Sequence, residues 1–150
     1  SVFRTADAFL AEGLCLCGYT PKPPHRDIQK TALGATETVN WQYFPATLEA
    51  VMDLKNRGYR IWAVEQTTAS IALQEFKPAF GEKWALVFGN EVQGVDAAVL
   101  DHCDGCIEIP QHGMKHSLNI SVAAGIVLWH FFSHYIQNNQ PSGYISEGAA

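Results

Sequence analysis

The chain contains no G-x-G-x-x-G, no G-x-x-x-x-G-K-[ST] and no G-x-S-x-G. Those glycines let a backbone approach a pyrophosphate, cradle a triphosphate or lift a serine out of a tight turn. Ordinary dinucleotide enzymes, P-loop NTPases and α/β-hydrolases therefore do not fit. No apolar run reaches the ~20 residues that would span a bilayer. No charged start followed by an apolar stretch resembles a signal peptide, so a cytoplasmic location without membrane partners is expected. Basic residues are few: ten Lys and Arg stand against fifteen Asp and Glu, for a net charge of −5. A strongly basic nucleic-acid module is thereby excluded on total charge, although a local basic patch is not. Charged residues make up only 17% and hydrophobic residues 47% of the 150. One domain with one sizeable core is expected.

Cysteine is also scarce. Cys15 and Cys17 form C-x-C, and Cys103 and Cys106 form C-x-x-C. Four thiolates at such spacings formally permit a zinc site. Both pairs, however, lie in or at the start of apolar strand-like runs, which points to buried, reduced thiols. A redox C-x-x-C would open a helix, and this one precedes a strand.

Along the chain, helical and strand patterns alternate. Residues 2–12 place Val2, Ala6, Phe9 and Leu10 at helical spacing and stop near Gly13. The sequence starts inside that pattern, so upstream residues are expected. Residues 14–19 read as an apolar and hence central strand. The segment TPKPPHRDIQKTALGA carries prolines 21, 23 and 24 and reads as an exposed loop, with a helical turn near 31–35. Lys22, His25, Arg26 and Lys30 make it the most basic stretch, suited to phosphate. A strand over 38–44, a helix from Pro45 to Gly58 and a strand over 59–64 follow. Next come a short turn over 70–75, a strand over 84–88, a short helix over 95–100 and a strand over 106–109. A long helix over 117–137 precedes a frayed tail, 138–150. This is an α/β pattern with a mainly parallel sheet and helices on both faces.

Two loops stand out, Gly89-Asn90-Glu91-Val92-Gln93-Gly94 and the segment from Pro110 to His116 leading into Ser117-Leu118-Asn119. Each follows an apolar strand, and ligands of open α/β sheets sit at the carboxyl ends of strands. Both are rich in Gly and uncharged hydrogen-bonding groups, which suits a ligand held largely by main chain. A Ser/His/Asp constellation from Ser117, His116 and Asp101 lacks the strand-turn-helix setting of a nucleophile. His112/His116 and His130/His134 are four apart, yet read as loop and helix-surface residues. Glu91, Ser117 and Asn119 could also serve as helix caps, which is compatible with a site role. Trp129, Phe131, Phe132 and Tyr135 crowd nearly every face of the last helix, as in a helix buried between two subunits.

FRTADAF, LVFGNEVQGV and IEIPQHGMKHSLNISVAAGIVLW, in that order, resemble the three motifs of SpoU-type (TrmH-type) RNA 2′-O-ribose methyltransferases of the SPOUT superfamily. The resemblance spans the whole domain, residues 1–137. It implies a deep trefoil knot in the C-terminal half, a homodimer, and S-adenosylmethionine (SAM) bound in the knot without a metal. The implied substrate is a ribose 2′-hydroxyl of structured tRNA or rRNA. Gly89, Ile109 and Leu118 would contact the cofactor mostly through backbone, with Met114 in the loop beside it and Thr67 on the same side. Arg4 matches the family's proposed catalytic arginine, while Glu91, Ser117 and Asn119 would orient substrate and arginine. Asn90 and Arg26 would face the RNA. An ordinary guanidinium holds its proton too tightly to be a good base, so holding a phosphate and stabilising an alkoxide is the easier role. The family's first motif also has an asparagine a few residues before the arginine, upstream of Ser1. The alternative is an RNA-binding or assembly module with the same fold and weak catalysis.

Overall fold

A computed structural model describes residues 1–115 and 117–139. The order is α1 (Val2–Ala8), β1 (Gly13–Cys17), α2 (Arg26–Ala32), α3 (Ala35–Thr38), β2 (Asn40–Phe44), α4 (Thr47–Asn56), β3 (Arg60–Val64) and β4 (Ile71–Ala72). After a 3-10 turn at Leu73–Glu75 come β5 (Trp84–Phe88), α5 (Ala97–Leu100), β6 (Gly105–Glu108) and α6 (Ile120–Asn139). All strand pairs are parallel, as the alternation of strands and helices requires.

The strands fall into two sheets. β1 pairs with β2, and four strands run in the order β4-β6-β3-β5. β1 is therefore not central: among the described residues its one hydrogen-bonded neighbour is β2. Its one buried side chain, Leu16, is covered by helices instead. Leu16 joins Phe3, Ala6, Ala32, Ala35 and Val39 in a core closed by α1, α2 and α3.

β3 is the middle of the larger sheet, and its alternation sets both remaining cores. Ile61 and Ala63 are wholly buried on one face with Val51 of α4, Val95 and Val99. Trp62 and Val64 face the other way, beside Ile107, Leu73, Phe76 and Val127 of α6. Trp62 is opposite Gly105 in the β3–β6 register. A Cβ added at Gly105 would lie 2.5 Å from the Trp62 ring, so the indole occupies the space of the missing side chain. Asp104 fixes the start of that pairing. Its Oδ2 accepts from Ile61 N–H at 2.7 Å and its own N–H donates to the Ile61 carbonyl.

Helix ends follow one device twice. At α4, Gly58 adopts φ 86°, with Gly58 N–H donating to Lys55 and Tyr59 N–H to Leu54. This is a Schellman stop with its usual glycine. α1 ends the same way but with Leu10 at φ 54°; Leu10 N–H donates to Asp7 and Ala11 N–H to Ala6. The helix thus stops at Ala8, short of the expected Gly13. The proline-rich segment also differs from a plain loop. Its prolines all precede residue 26, and His25 Nδ1 accepts from Asp27 N–H, starting α2. At the other end α6 includes residues 138 and 139 of the expected tail, and 140–150 lie outside the described residues.

α1 and α6 pack parallel. Ser1 Oγ donates to Ser121 Oγ at 2.7 Å, Thr5 lies opposite Gly125, and the Phe9 ring is 5.7 Å from those of Trp129 and Phe132. Small residues one turn apart on each helix permit the approach.

Filling the Gly105 space is expected to cost about 1–3 kcal/mol by overpacking. Gly105→Ala should lower the urea midpoint accordingly. Trp62→Leu in the same chain should recover part of the loss, showing that the clash is with the indole.

Candidate active site at the strand ends

The β3–β5–β6 register brings three carboxyl ends level, with Val64 beside Phe88 and beside Ile107. Glu65 through Thr67, Gly89 and Ile109 therefore start from one edge. Glu65 N–H extends the ladder to the Ile107 carbonyl. The sheet thus presents three loops together without any side chain having to reach.

The 89–94 loop is a tight closed ring. Asn90 and Gly94 exchange both backbone hydrogen bonds, and Asn90 Oδ1 accepts from Val92 N–H at 2.8 Å and Gln93 N–H at 3.1 Å. Asn90, expected to face substrate, spends its side-chain oxygen on holding the loop. Gly89 admits no side chain, because a Cβ there would lie 2.3 Å from the Gly94 carbonyl carbon. Glu65 belongs to the Glu65-Gln66-Thr67 stretch expected at this strand end, but its role as a brace was not expected. Its Oε2 accepts from Val95 N–H at 2.8 Å and lies 2.5 Å from where a Gly94 Cβ would be. The signal was a lone carboxylate directly after an apolar strand. Glu91 stays exposed on the loop.

The other residues divide as follows. Thr67 sits in a turn closed by Ser70, whose Oγ accepts from Thr67 N–H at 3.2 Å and lies 2.8 Å from the Thr67 carbonyl and 3.0 Å from Glu108 Oε1. Ile109 borders an apolar cavity of about 300 Å³ with Leu73, Pro110, Ile126 and Trp129. Gly89, Asn90 and Glu91 border a much larger cleft of about 1760 Å³. The cofactor residues expected from the sequence thus do not share one cavity. Met114 is almost fully exposed, Ser117 is exposed and Leu118 half-buried. Gln111 Nε2 donates to the Ile109 carbonyl at 3.4 Å, at the start of the segment that leads to Ser117. Asn119 caps α6: its carbonyl accepts from Val122 and Ala123 N–H, and its Oδ1 from Ser121 N–H at 2.8 Å. Arg4 is exposed on α1, whose first turn lies against that of α6. Arg26 is exposed at the start of α2, a helix that meets α1 where the Ser1 amine donates to Thr31 Oγ1 at 2.9 Å. His116 of the Ser/His/Asp constellation lies outside the described residues.

The histidine and cysteine candidates have structural partners. His130 Nε2 donates to the Phe76 carbonyl at 2.6 Å, and His134 Nδ1 to the His130 carbonyl at 2.9 Å. Cys103 Sγ donates to the Val99 carbonyl at 3.3 Å; burial pushes this thiol up to about 11. Burial also raises Cys15 and Cys17, although Cys15 is exposed at its edge and not interior as expected. Among the described residues no group of three or more His, Cys, Asp or Glu side chains could hold a metal. No described helix is long and apolar enough to cross a membrane.

Compared with known proteins, the sequence profile of the SpoU rRNA Methylase family matches residues 1–129. The chain belongs to that family. A tRNA (guanosine(18)-2'-O)-methyltransferase of Aquifex aeolicus is 38% identical over 82 residues, 55% of this chain and 38% of that protein. The crystal structure of the A. aeolicus TrmH/SpoU tRNA modifying enzyme superposes with a TM-score of 0.80 at 29% identity, covering 98% of this chain and 74% of that one. An AdoMet-bound rRNA methyltransferase from Sinorhizobium meliloti shares the fold with a TM-score of 0.80 at 23% identity, over 93% of this chain and 51% of that one. This SpoU-family chain spans about half the length or less of the curated relatives it matches.

The Glu65 carboxylate is the brace between β3 and the 89–94 loop. Glu65→Ala should speed hydrogen exchange at the Val95 amide, while Glu65→Gln, which keeps an acceptor oxygen, should largely preserve its protection. Exchange read by NMR distinguishes them.

Proposed function

We propose that this SpoU-family chain transfers a methyl group from SAM to a ribose 2′-hydroxyl of structured tRNA or rRNA. The observation that carries the reading is the level edge of three strand ends bearing Gly89, Thr67 and Ile109, in a chain whose family profile covers both flanking motifs. The donor set fits the cofactor. The segments 64–67, 88–94 and 107–111 contain Glu65, Glu91 and Glu108 and no Lys or Arg. An acid-lined edge suits a sulfonium cation, and Ile109, Leu118 and Met114 suit a neutral purine ring. Gly89, Ile109 and Leu118 would hold it through backbone groups, with Thr67 and Met114 beside it. A trefoil knot formed by the C-terminal half belongs to the same reading, supported by the likeness to the TrmH/SpoU crystal structure.

When bound, the cofactor supplies an electrophilic methyl group for in-line displacement, a reaction that needs alignment and exclusion of water more than covalent help. The chain's residues divide that work. Arg4 holds the RNA phosphate and offers guanidinium donors to the oxygen as it develops charge. Glu91, Ser117 and Asn119 orient the substrate and that arginine; Asn119 does so while holding the first turn of α6. Asn90 keeps the glycine loop in shape beside the substrate, and Arg26 meets the RNA outside the reacting centre.

The reading also places two copies together through α6. Val122, Ile126, Trp129 and Tyr135 are each more than a third exposed along that helix. So much uncovered apolar surface on one element suits an isologous subunit contact.

Calorimetric titration with SAM should give saturable binding that Leu118→Trp abolishes. Arg4→Ala should keep that affinity and lower methyl transfer to RNA about a hundredfold. Absence of SAM binding by the folded wild-type chain would favour the RNA-binding module instead. Light scattering should give twice the chain mass, and Trp129→Lys should shift it toward one chain.

A further inference from the structure

The turn after β1 carries a feature that methyl transfer alone does not explain. Gly18, at φ 61°, reverses the chain, and its N–H donates to the Phe44 carbonyl at 3.0 Å. Thr20 N–H closes onto the Cys17 carbonyl at 3.1 Å. From below, the Tyr43 hydroxyl donates to the Gly18 carbonyl at 2.8 Å. The backbone on both sides of Tyr19 is thus pinned, yet the Tyr19 side chain is 107% exposed. Nothing in the fold requires an aromatic ring there.

Its surroundings favour one kind of partner. Lys22 Nζ lies 4.3 Å above the Tyr43 ring, a cation–π contact that holds the ammonium next to the turn. Arg26 and Lys30 are one helical turn apart on α2, both exposed. With Asp27, the stretch 18–34 carries three cations and one anion, a net charge of +2 in a chain of −5. Tyr19, Thr20 and Pro21 border the same 1760 Å³ cleft as Gly89, Asn90 and Glu91. An exposed ring beside cations, bordering the same cleft as the strand-end loops, is the layout of a single-stranded RNA platform: base on aromatic, phosphates on Lys and Arg.

We propose that Tyr19 is a substrate-positioning residue on which an unpaired RNA base stacks, with Lys22 and Arg26 holding the adjoining phosphates. The inference rests on the proposed RNA methyl transfer and adds how the nucleotide is presented. A duplex hides the base face, so the platform selects a nucleotide in a loop or bulge.

The test uses the whole chain, labelled SAM, and two probes: unmodified bulk tRNA and total rRNA lacking 2′-O-methylation. Tyr19→Ala should raise the KM for the accepted RNA about five- to a hundredfold, and Tyr19→Phe should restore it, with the SAM Kd unchanged in both. Lys22→Gln should lower the slope of log affinity against log salt by about 0.7–0.9. An unchanged KM in Tyr19→Ala overturns the platform while leaving methyl transfer standing. A KM and SAM Kd that rise together also overturn it, since they would mark a structural role. Wild-type chain that binds SAM but neither binds nor methylates either RNA overturns both readings.

Discussion

The contact between α1 and α6 joins parts of the chain that are 120 residues apart. Ser1 meets Ser121, Thr5 meets Gly125, and Phe9 meets Trp129 and Phe132. The constant offset means that two parallel helices descend in step. Their hydroxyls and glycine bring the backbones close, and the aromatic end adds about 0.5–1.5 kcal/mol per ring pair beyond burial. Arg4 comes one turn after Ser1, and Asn119 two residues before Ser121. Through this one packing seam the first motif meets the helical end of the third motif. The small sheet of β1 and β2 is carried along, because Phe3 and Ala6 on the inner face of α1 are also the centre of its core.

The larger sheet supplies the complementary constraint. β3 alone touches both of its long neighbours, and its alternation divides helices α4 and α5 from α6. Gly105 yields to Trp62, and Asp104 grips Ile61 at both its N–H and its carbonyl, so β6 has one available register. A one-residue slip of β6 would turn Ile107 out of its core. That register makes the three strand ends level. The site edge is therefore a consequence of core packing, and Glu65 carries the order one step outward to the 89–94 loop.

Much of this was legible in the residues. The strand at Trp84–Phe88 matches its apolar run, Gly58 stops α4, and the alternation of elements foretells parallel pairing. What escaped has physical causes. Leu10 in a left-handed conformation ends α1 because three hydrogen bonds and packing outweigh a side chain's preference, which no local pattern displays. β1 is apolar like a central strand, but its cover comes from three helices, a tertiary fact. Gly89 and the Glu65–Thr67 stretch follow strands, as the apolar runs foretell, whereas the bond from Val95 N–H to the Glu65 carboxylate joins distant residues and has no sequence period. The helical i, i+4 pairing of Ser1 with Thr5 and of Ser121 with Gly125 was a signal present but unused.

Division of the strands into two sheets gives the cleft two walls of opposite character. The β5 end borders it with Gly89, Asn90 and Glu91, and the β1 turn with Tyr19, Thr20 and Pro21, the cations Lys22 and Arg26 following in sequence. A methyl donor carrying a sulfonium gains from the acidic side and would be repelled by Lys22 and Arg26. An RNA phosphate gains from those cations and would be repelled by Glu65, Glu91 and Glu108. At physiological salt such fields reach about 8 Å, so each wall acts on what lies against it and little further. The net charge of −5 then ceases to conflict with an RNA substrate. On the proposed reading, general attraction to nucleic acid would be weak, and binding would depend on a nucleotide that presents base and phosphate together to the basic side while its ribose reaches the acidic one. On this argument the acidic balance of the chain works as a filter, favouring a shaped RNA loop over any polyanion.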